Sequence, residues 1–185
     1  MVDAVVREVR PEDSAEISAL HARAFGPGRY ARTAYRIREG KGAFSRYCRV
    51  CLIDGRIIAA VRFTPITIGG KDGALLLGPL AVDPAFANRG YGRGLVGEAM
   101  DAARADGLSL VLLVGDEPYY ARLGFVRVPV GQITLPGPVN PTRILAAELV
   151  PGALTRFSGM VGATASSYRE RSHSTPLAVV PDPAG

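Results

Sequence analysis

The sequence predicts an α/β domain of the α+β type, with one mixed sheet and helices on both faces. Strand-like and helical segments alternate along the 185 residues. The dipeptide Asp54-Gly55 separates two apolar runs, which is the pattern of an antiparallel hairpin. The run Leu108–Val114 is continuously apolar, as expected of a strand buried on both faces.

The first half of the chain is predicted to hold four strands and at least one helix. The expected strands are Ala4–Arg10, Tyr47–Ile53, Arg56–Ile68 and Leu75–Val82. Asp13 and Glu16 have the spacing of a capping box, and helical apolar spacing continues to Phe25. The basic segment Arg29–Arg38 is a candidate second helix. Pro65 indicates an edge or a bulge in its strand.

The second half predicts a long helix and a short one. Gly92–Asp106 carries one apolar stripe, and Gly107 is placed to end that helix. Tyr119–Leu123 reads as a short helical turn after the buried strand. Weaker strand signals follow at Phe125–Val130, Gln132–Leu135 and Ile144–Val150. We expect a domain over residues 1–163 and a flexible tail, rich in Ser and Pro, over 164–185.

The positive charge is carried almost entirely by arginine. The net charge is +5, and 20 of the 22 basic residues are Arg. Because the guanidinium fork matches phosphate oxygens, this composition suits a nucleotide cofactor or a nucleic acid. Aromatic residues make up only 7% and Trp is absent, so no basic face interleaved with aromatic residues is evident. No nucleic-acid partner is therefore predicted.

Cys48 and Cys51 form an isolated C-x-x-C pair. Without a second pair of ligands nearby they do not predict a zinc site, and no metal is expected. On a strand, positions three apart face opposite sides, which argues against a disulfide and predicts that one thiol is buried. Reduced thiols, a charged N-terminus and the lack of an ~18-residue apolar run predict a cytoplasmic protein with no membrane span.

A glycine-rich turn follows the strand that ends at Val82. The turn opens the predicted long helix and consists of Arg89, Gly90, Tyr91, Gly92, Arg93 and Gly94. The first turn of a helix has free backbone N–H groups, and the helix dipole favours an anion there. Glycines let phosphate oxygens approach the backbone because they carry no Cβ. The turn therefore predicts a pyrophosphate site.

Two nucleotide-binding patterns compete for this turn. Gly92, Gly94 and Gly97 fit the dinucleotide pattern G-x-G-x-x-G, and Asp116 lies about 20 residues further on, where a ribose-binding acid is expected. In that pattern the first glycine follows its strand almost directly. Here nine residues separate Val82 from Gly92, and only one β-α-β unit is evident. These features argue against the dinucleotide-binding pattern and therefore against NAD as the cofactor.

The other pattern combines two blocks. Arg89-x-x-Gly92-x-Gly94 is similar to the coenzyme A signature of the GNAT acetyltransferase superfamily, and Tyr120-x-x-x-Gly124-Phe125 is similar to its second block. The blocks are separated by one helix and one strand, as in that family. Residues Val114–Tyr120 resemble a YhbS-like subgroup more narrowly. The clear resemblance covers Leu75–Val128.

The resemblance implies a mostly antiparallel sheet in which one parallel strand pair splays apart. In the family, the pantetheine arm of acetyl-coenzyme A fills that gap and pairs with backbone groups, which here would belong to Leu80, Ala81 and Val82. The glycine-rich turn would hold the pyrophosphate, with Arg89 and Arg93 adding charge.

The implied reaction is direct transfer of an acetyl group to an amine. Tyr120 matches the family tyrosine beside the sulfur and is the expected general acid toward the thiolate. The amine must lose a proton, since an alkylammonium has a pKa near ~10.4. Asp116 is the candidate base, with helix capping as its alternative role. Many family members carry an Asn several residues before this tyrosine, and this chain has no such Asn. The side chain of Tyr119 is expected to be packed rather than catalytic.

Several possibilities stay open at this stage. A coenzyme A-binding sensor or partner module without catalysis is the alternative function. The acceptor is undefined, although Arg29–Arg38 falls where the family builds its acceptor wall and would suit an acidic acceptor or form a solvated face. His21 is a candidate for the same pocket or a packed side chain. Dimers are common in the family, so a homodimer is expected.

Overall fold

The computed structural model describes residues 3–26 and 44–164. The strands are β1 (Ala4–Glu8), β2 (Arg49–Ile53), β3 (Arg56–Ile68), β4 (Lys71–Val82), β5 (Leu110–Val114), β6 (Val126–Arg127), β7 (Ile133–Thr134), β8 (Ile144–Glu148) and β9 (Gly159–Ala163). The helices are α1 (Ser14–Phe25), α2 (Tyr91–Ala105) and α3 (Glu117–Tyr120). The sheet order is β1-β2-β3-β4-β5-β8-β6, and β9 joins the far end of β3 and also pairs with β7.

Two helices cover opposite faces of this sheet. Leu95 of α2 lies in one apolar cluster with Ile58 of β3. Leu20 of α1 lies in another cluster with Ile57 of the same strand. Because neighbouring residues of a strand point to opposite faces, α1 and α2 lie on opposite sides of the sheet. The predicted mixed α/β class is confirmed.

The parallel pair β4–β5 separates partway along its length. Its last paired residues are Leu76 and Leu112. Just beyond these residues, the antiparallel pairing of β3 with β4 contains a bulge. Gly78 and Pro79 of β4 lie there opposite a single residue of β3. Proline donates no ladder hydrogen bond, and a bulge bends the strand that contains it. The segment Leu77–Val82 therefore runs away from β5 and leaves a gap.

The start of α1 differs from the predicted capping box. Asp13 has a helical backbone and makes no side-chain cap to α1. Its carboxylate instead accepts from the backbone N of Arg10 at 2.7 Å and pairs with Arg7 at 2.6 Å. The Arg7 hydrogen bond lowers the pKa of Asp13. Glu16 accepts from the backbone N of Ile57 at 2.7 Å, so these acids tie α1 to the sheet.

The C-terminal strands were the least accurate predictions. β6, β7 and β8 exist but are shorter than predicted, and β9 was missed. β9 contains Gly159 and Gly162, which weaken its strand pattern. A Cβ on Gly159 would lie 2.9 Å from the Cα of Gly69, and one on Gly162 would lie 2.9 Å from Oγ1 of Thr67. The glycines therefore allow close approach to β3, a contact that local sequence does not reveal.

Some predicted features lie outside the described residues. These are the basic segment Arg29–Arg38 and the tail beyond Thr164. The boundary between the domain (1–163) and the tail (164–185) therefore stays a prediction. Over residues 3–26 and 44–164, no helix combines the length and apolarity needed to cross a membrane.

Both cysteines are free and buried, so the prediction of one buried thiol is wrong. Cys48 precedes β2 rather than lying in it, which removes the strand alternation on which that prediction depended. The Sγ atom of Cys48 lies 3.4 Å from the backbone N of Phe63. Burial raises the pKa of Cys51 to about 11.

The native protein should be inert toward thiol reagents, because the thiolate is the reactive form and both sulfurs are buried. We expect little reaction with a chromogenic disulfide at pH 8 over minutes, and reaction of both Cys48 and Cys51 after addition of denaturant. Cys51→Ala should halve the denatured signal. Fast labelling of the native protein would contradict the buried environment.

Candidate functional site

The turn between β4 and α2 is anchored by one buried carboxylate. Asp83 directly follows β4, and its backbone N donates to the carbonyl of Ile58 at 2.8 Å. Its Oδ1 accepts from the backbone N of Ala85 at 3.0 Å. Its Oδ2 pairs with Arg23 at 3.1 Å and with Arg56 at 3.3 Å. These contacts fix the point at which the chain leaves the sheet.

The glycine-rich turn opens α2, as predicted. Gly90 is the N-cap with φ 86°, a left-handed conformation that glycine adopts without steric cost. Its carbonyl accepts from the backbone N of Gly94 at 2.9 Å. The earlier amides of α2 have no intrahelical acceptor, and the dipole of this 15-residue helix adds positive potential at the same end. The geometry suits an anion.

Gly92 brings the two sequence blocks together. A Cβ at this position would lie 3.1 Å from Oη of Tyr119 and 3.2 Å from Cγ2 of Val82. It would also lie 3.5 Å from Cδ2 of Leu80. The missing side chain therefore lets the start of α2 pack closely on β4 and on α3.

A cavity of about 260 Å³ lies between the turn and α3. The residues that line it are Val82, Phe86, Asn88, Arg89, Gly90, Tyr91, Gly92, Arg93, Tyr119, Arg122 and Leu123. Three of them are arginines and none is acidic. The guanidinium of Arg89 lies over the ring of Phe86, 5.6 Å from its centre. The cavity is thus positively charged and opens on the amides of α2.

The cavity arginines are also available for a ligand. Arg89, Arg93 and Arg122 have no carboxylate within ion-pair distance among the described residues. Most other arginines in that part of the chain do: Arg7, Arg23, Arg46, Arg49, Arg56, Arg104, Arg127 and Arg143. Within residues 3–26 and 44–164, three arginines without a protein counterion therefore line one cavity.

The second block presents two faces. Tyr119 and Arg122 are three residues apart, and at this spacing side chains of a tight helical turn lie on one side, here the cavity. Tyr120 and Leu123 have the same spacing and pack against the core under α2, and Leu123 also reaches the cavity lining. Tyr119 is 49% exposed rather than packed inside, contrary to the prediction. The three-residue spacing is shared by both pairs, so the sequence alone could not show that Tyr119 and Arg122 face the cavity.

Tyr120 flanks the gap between β4 and β5. Its ring packs edge-on against Phe125, with 5.7 Å between ring centres. A Cβ on Gly115 would lie 2.6 Å from Cε2 of Tyr120, so only glycine leaves room for this ring at the end of β5. Leu80 and Val82 of β4 pack against the same core cluster as Tyr120. The three side chains therefore lie on one face of the gap, beside the cavity.

The backbone of β4 faces this gap at alternate residues. The Asp83–Ile58 hydrogen bond and the register of β3 with β4 define the ladder. Because bonded and non-bonded pairs alternate in an antiparallel ladder, Ala81 pairs with β3, whereas the polar groups of Leu80 and Val82 point toward the gap. In the described part of the chain no strand pairs with that edge beyond Leu76.

The other polar residues predicted from the sequence, Asp116 and His21, do not line the cavity. Asp116 occupies the N-cap position of α3 but makes no side-chain cap, so the capping alternative is wrong. It is 78% exposed, and its Oδ1 lies 3.2 Å from Arg143. Glu117 pairs with Arg127 at 2.5 Å. His21 is partly buried on α1, with its ring centre 5.7 Å from that of Phe25.

Comparison with known proteins gives a consistent set of relatives. The model of the Acetyltransferase (GNAT) family matches residues 14–125. The N-acetyltransferase YhbS of Escherichia coli K12, itself uncharacterised, is 29% identical over 85% of this chain and 94% of its own length. The crystal structure of E. coli YhbS with CoA has a TM-score of 0.77 at 28% identity, covering 89% of this chain and 91% of that one. A Brucella melitensis GNAT acetyltransferase with acetyl-CoA has a TM-score of 0.68 at 26% identity, covering 89% and 98%.

Replacing Asp83 should loosen the turn and destabilise the fold. Asp83→Ala removes a backbone cap and leaves Arg23 and Arg56 without their carboxylate. We expect a loss of about 2 kcal/mol in the free energy of unfolding. Asp101→Ala removes an exposed carboxylate from the pair with Arg104 and is the control, with a loss below about 0.5 kcal/mol. Equal losses in urea denaturation would mean that Asp83 does not anchor the turn.

Proposed function

This chain belongs to the GNAT acetyltransferase family, and on that premise we propose that it transfers the acetyl group of acetyl-coenzyme A to an amine. One observation supports the proposal most strongly. Val82, whose polar backbone groups face the gap between β4 and β5, also lines the arginine-rich cavity at the start of α2. A ligand with an amide-containing arm and a pyrophosphate fits both parts, and structural relatives were crystallised with CoA and acetyl-CoA.

The residues of the cavity fit the phosphate end of this ligand. The amides at the start of α2 that have no intrahelical acceptor, over Gly90–Arg93, would hold the pyrophosphate. Arg89 and Arg93 would neutralise its charge from the cavity wall. The polar backbone groups of Leu80 and Val82 would pair with the amides of the pantetheine arm, as an added strand does.

Tyr120 is the proposed general acid. Acetyl-coenzyme A supplies a thioester carbonyl that a neutral amine can attack. As the bond to sulfur breaks, the hydroxyl of Tyr120 donates its proton to the thiolate, whose thiol has a pKa of roughly 8.5 by analogy with cysteine. Tyr120 is suited to this role because it flanks the gap, and because Gly115 and Phe125 hold its ring.

Asp116 is the proposed acceptor of the amine proton. It follows β5 at the open end of the gap, and only its Oδ1 contacts Arg143. Since its side chain is exposed, the proton would reach it through water. The amine that receives the acetyl group must therefore approach from the end of β5 rather than from the arginine-lined cavity.

Removing the Tyr120 hydroxyl should slow turnover without loss of cofactor affinity. For Tyr120→Phe we expect kcat to fall by roughly 10²–10⁴-fold, the usual contribution of a general acid. Release of free thiol from acetyl-coenzyme A in the presence of a panel of amines measures kcat. Calorimetric titration with coenzyme A measures affinity.

Tyr47→Phe is the matched control, because it removes a tyrosine hydroxyl that donates to Asp106 at 2.8 Å, far from the gap. Its kcat should be unchanged. Wild-type turnover by Tyr120→Phe would exclude Tyr120 as the acid. If Tyr119→Phe lost turnover instead, the general acid would be Tyr119.

A further inference from the structure

We propose that Arg122 binds the 3′-phosphate of the cofactor and makes the protein select coenzyme A over 3′-dephospho-coenzyme A. This inference rests on the proposed function, since it assigns a residue to one group of the same ligand. Coenzyme A carries a pyrophosphate and a separate phosphate on its ribose. The cavity offers two separate sources of positive charge, one on each side.

The two walls of the cavity differ in what they can bind. The α2 wall offers backbone amides together with Arg89 and Arg93, which is a complete set of donors for a pyrophosphate. Arg122 comes from the opposite wall, on the tight turn Ala121–Leu123 that follows α3. A cation on that side is placed for a phosphoryl group that the α2 amides do not hold.

Neighbouring acids do not neutralise Arg122. Asp116 and Glu117 are the carboxylates nearest to it in sequence, and they pair with Arg143 and Arg127 respectively. Arg122 has no carboxylate within ion-pair distance in the described residues and lines the cavity. The arrangement leaves a bidentate donor for a phosphate, which a lysine would not provide.

The backbone that carries Arg122 is held in place. Its neighbour Leu123 packs against the core under α2. Gly124 ends the turn in a left-handed conformation, and its backbone N donates to the carbonyl of Ala121 at 3.1 Å. The backbone N of Phe125 donates to the carbonyl of Tyr120 at 3.2 Å. The position of Arg122 along the cavity wall is therefore set before a ligand binds.

Calorimetric titration with coenzyme A and with 3′-dephospho-coenzyme A tests this assignment without any turnover. The wild-type protein should bind coenzyme A about 10-fold more tightly than the dephospho form, as expected for one charge-assisted contact. Arg122→Gln should lose about 10-fold in affinity for coenzyme A and keep its affinity for the dephospho form. The two ligands should then bind about equally.

Arg104→Gln is the matched control, because it removes the same charge from the last turn of α2, about 20 Å from the start of that helix. It should leave both affinities unchanged. Equal losses for both ligands in Arg122→Gln, or no loss, would overturn the assignment while leaving cofactor binding intact. Failure of the wild-type protein to bind either ligand would overturn the proposed function itself.

Discussion

Where β4 turns away from β5 after Leu76, an edge with unpaired backbone groups is left open inside an otherwise continuous sheet. Buried backbone groups cost free energy unless they find partners. The bulge at Gly78-Pro79 forces this divergence, and the other parts of the site are arranged around it. A ligand that pairs with the open edge would gain hydrogen bonds that the fold itself leaves unmade, which is why we propose that the gap binds an extended, amide-bearing arm.

The same strand also sets the position of the arginine-lined cavity. Asp83 ties the end of β4 to α1 and β3, so the following turn can only enter α2 at one place. Gly92 then allows α2 to pack on β4 and on Tyr119. The gap and the cavity therefore share β4, and a change in this strand would affect the start of α2 as well.

The sequence was informative where local chemistry decides the structure. The Asp54-Gly55 hairpin, the apolar strand β5 and the glycine-rich start of α2 are all local signals, and all are present. The capping box failed because a tight turn before α1 redirected Asp13 toward Arg7.

Long-range contacts account for the remaining differences. β9 was missed because it is defined by pairing with β3, far away in sequence. In the site, the glycines and Tyr120 could be selected from motifs. The roles of Tyr119 and Arg122 depend on which side of a short helix faces the cavity, and the backbone groups that face the gap depend on strand register. The acceptor was not predictable, since no motif defines it.

Thermal unfolding shows whether the gap and the cavity bind acetyl-coenzyme A. At 100 times its dissociation constant a ligand adds about 2.7 kcal/mol, which for a domain of this size raises Tm by roughly 5–10 °C. Acetyl-coenzyme A should produce this rise in the wild-type protein and none in Gly92→Val, whose side chain would push Tyr119 and Val82 out of place. A rise with NADH instead, or no rise with acetyl-coenzyme A, would mean that the gap and the cavity do not form an acetyl-coenzyme A site.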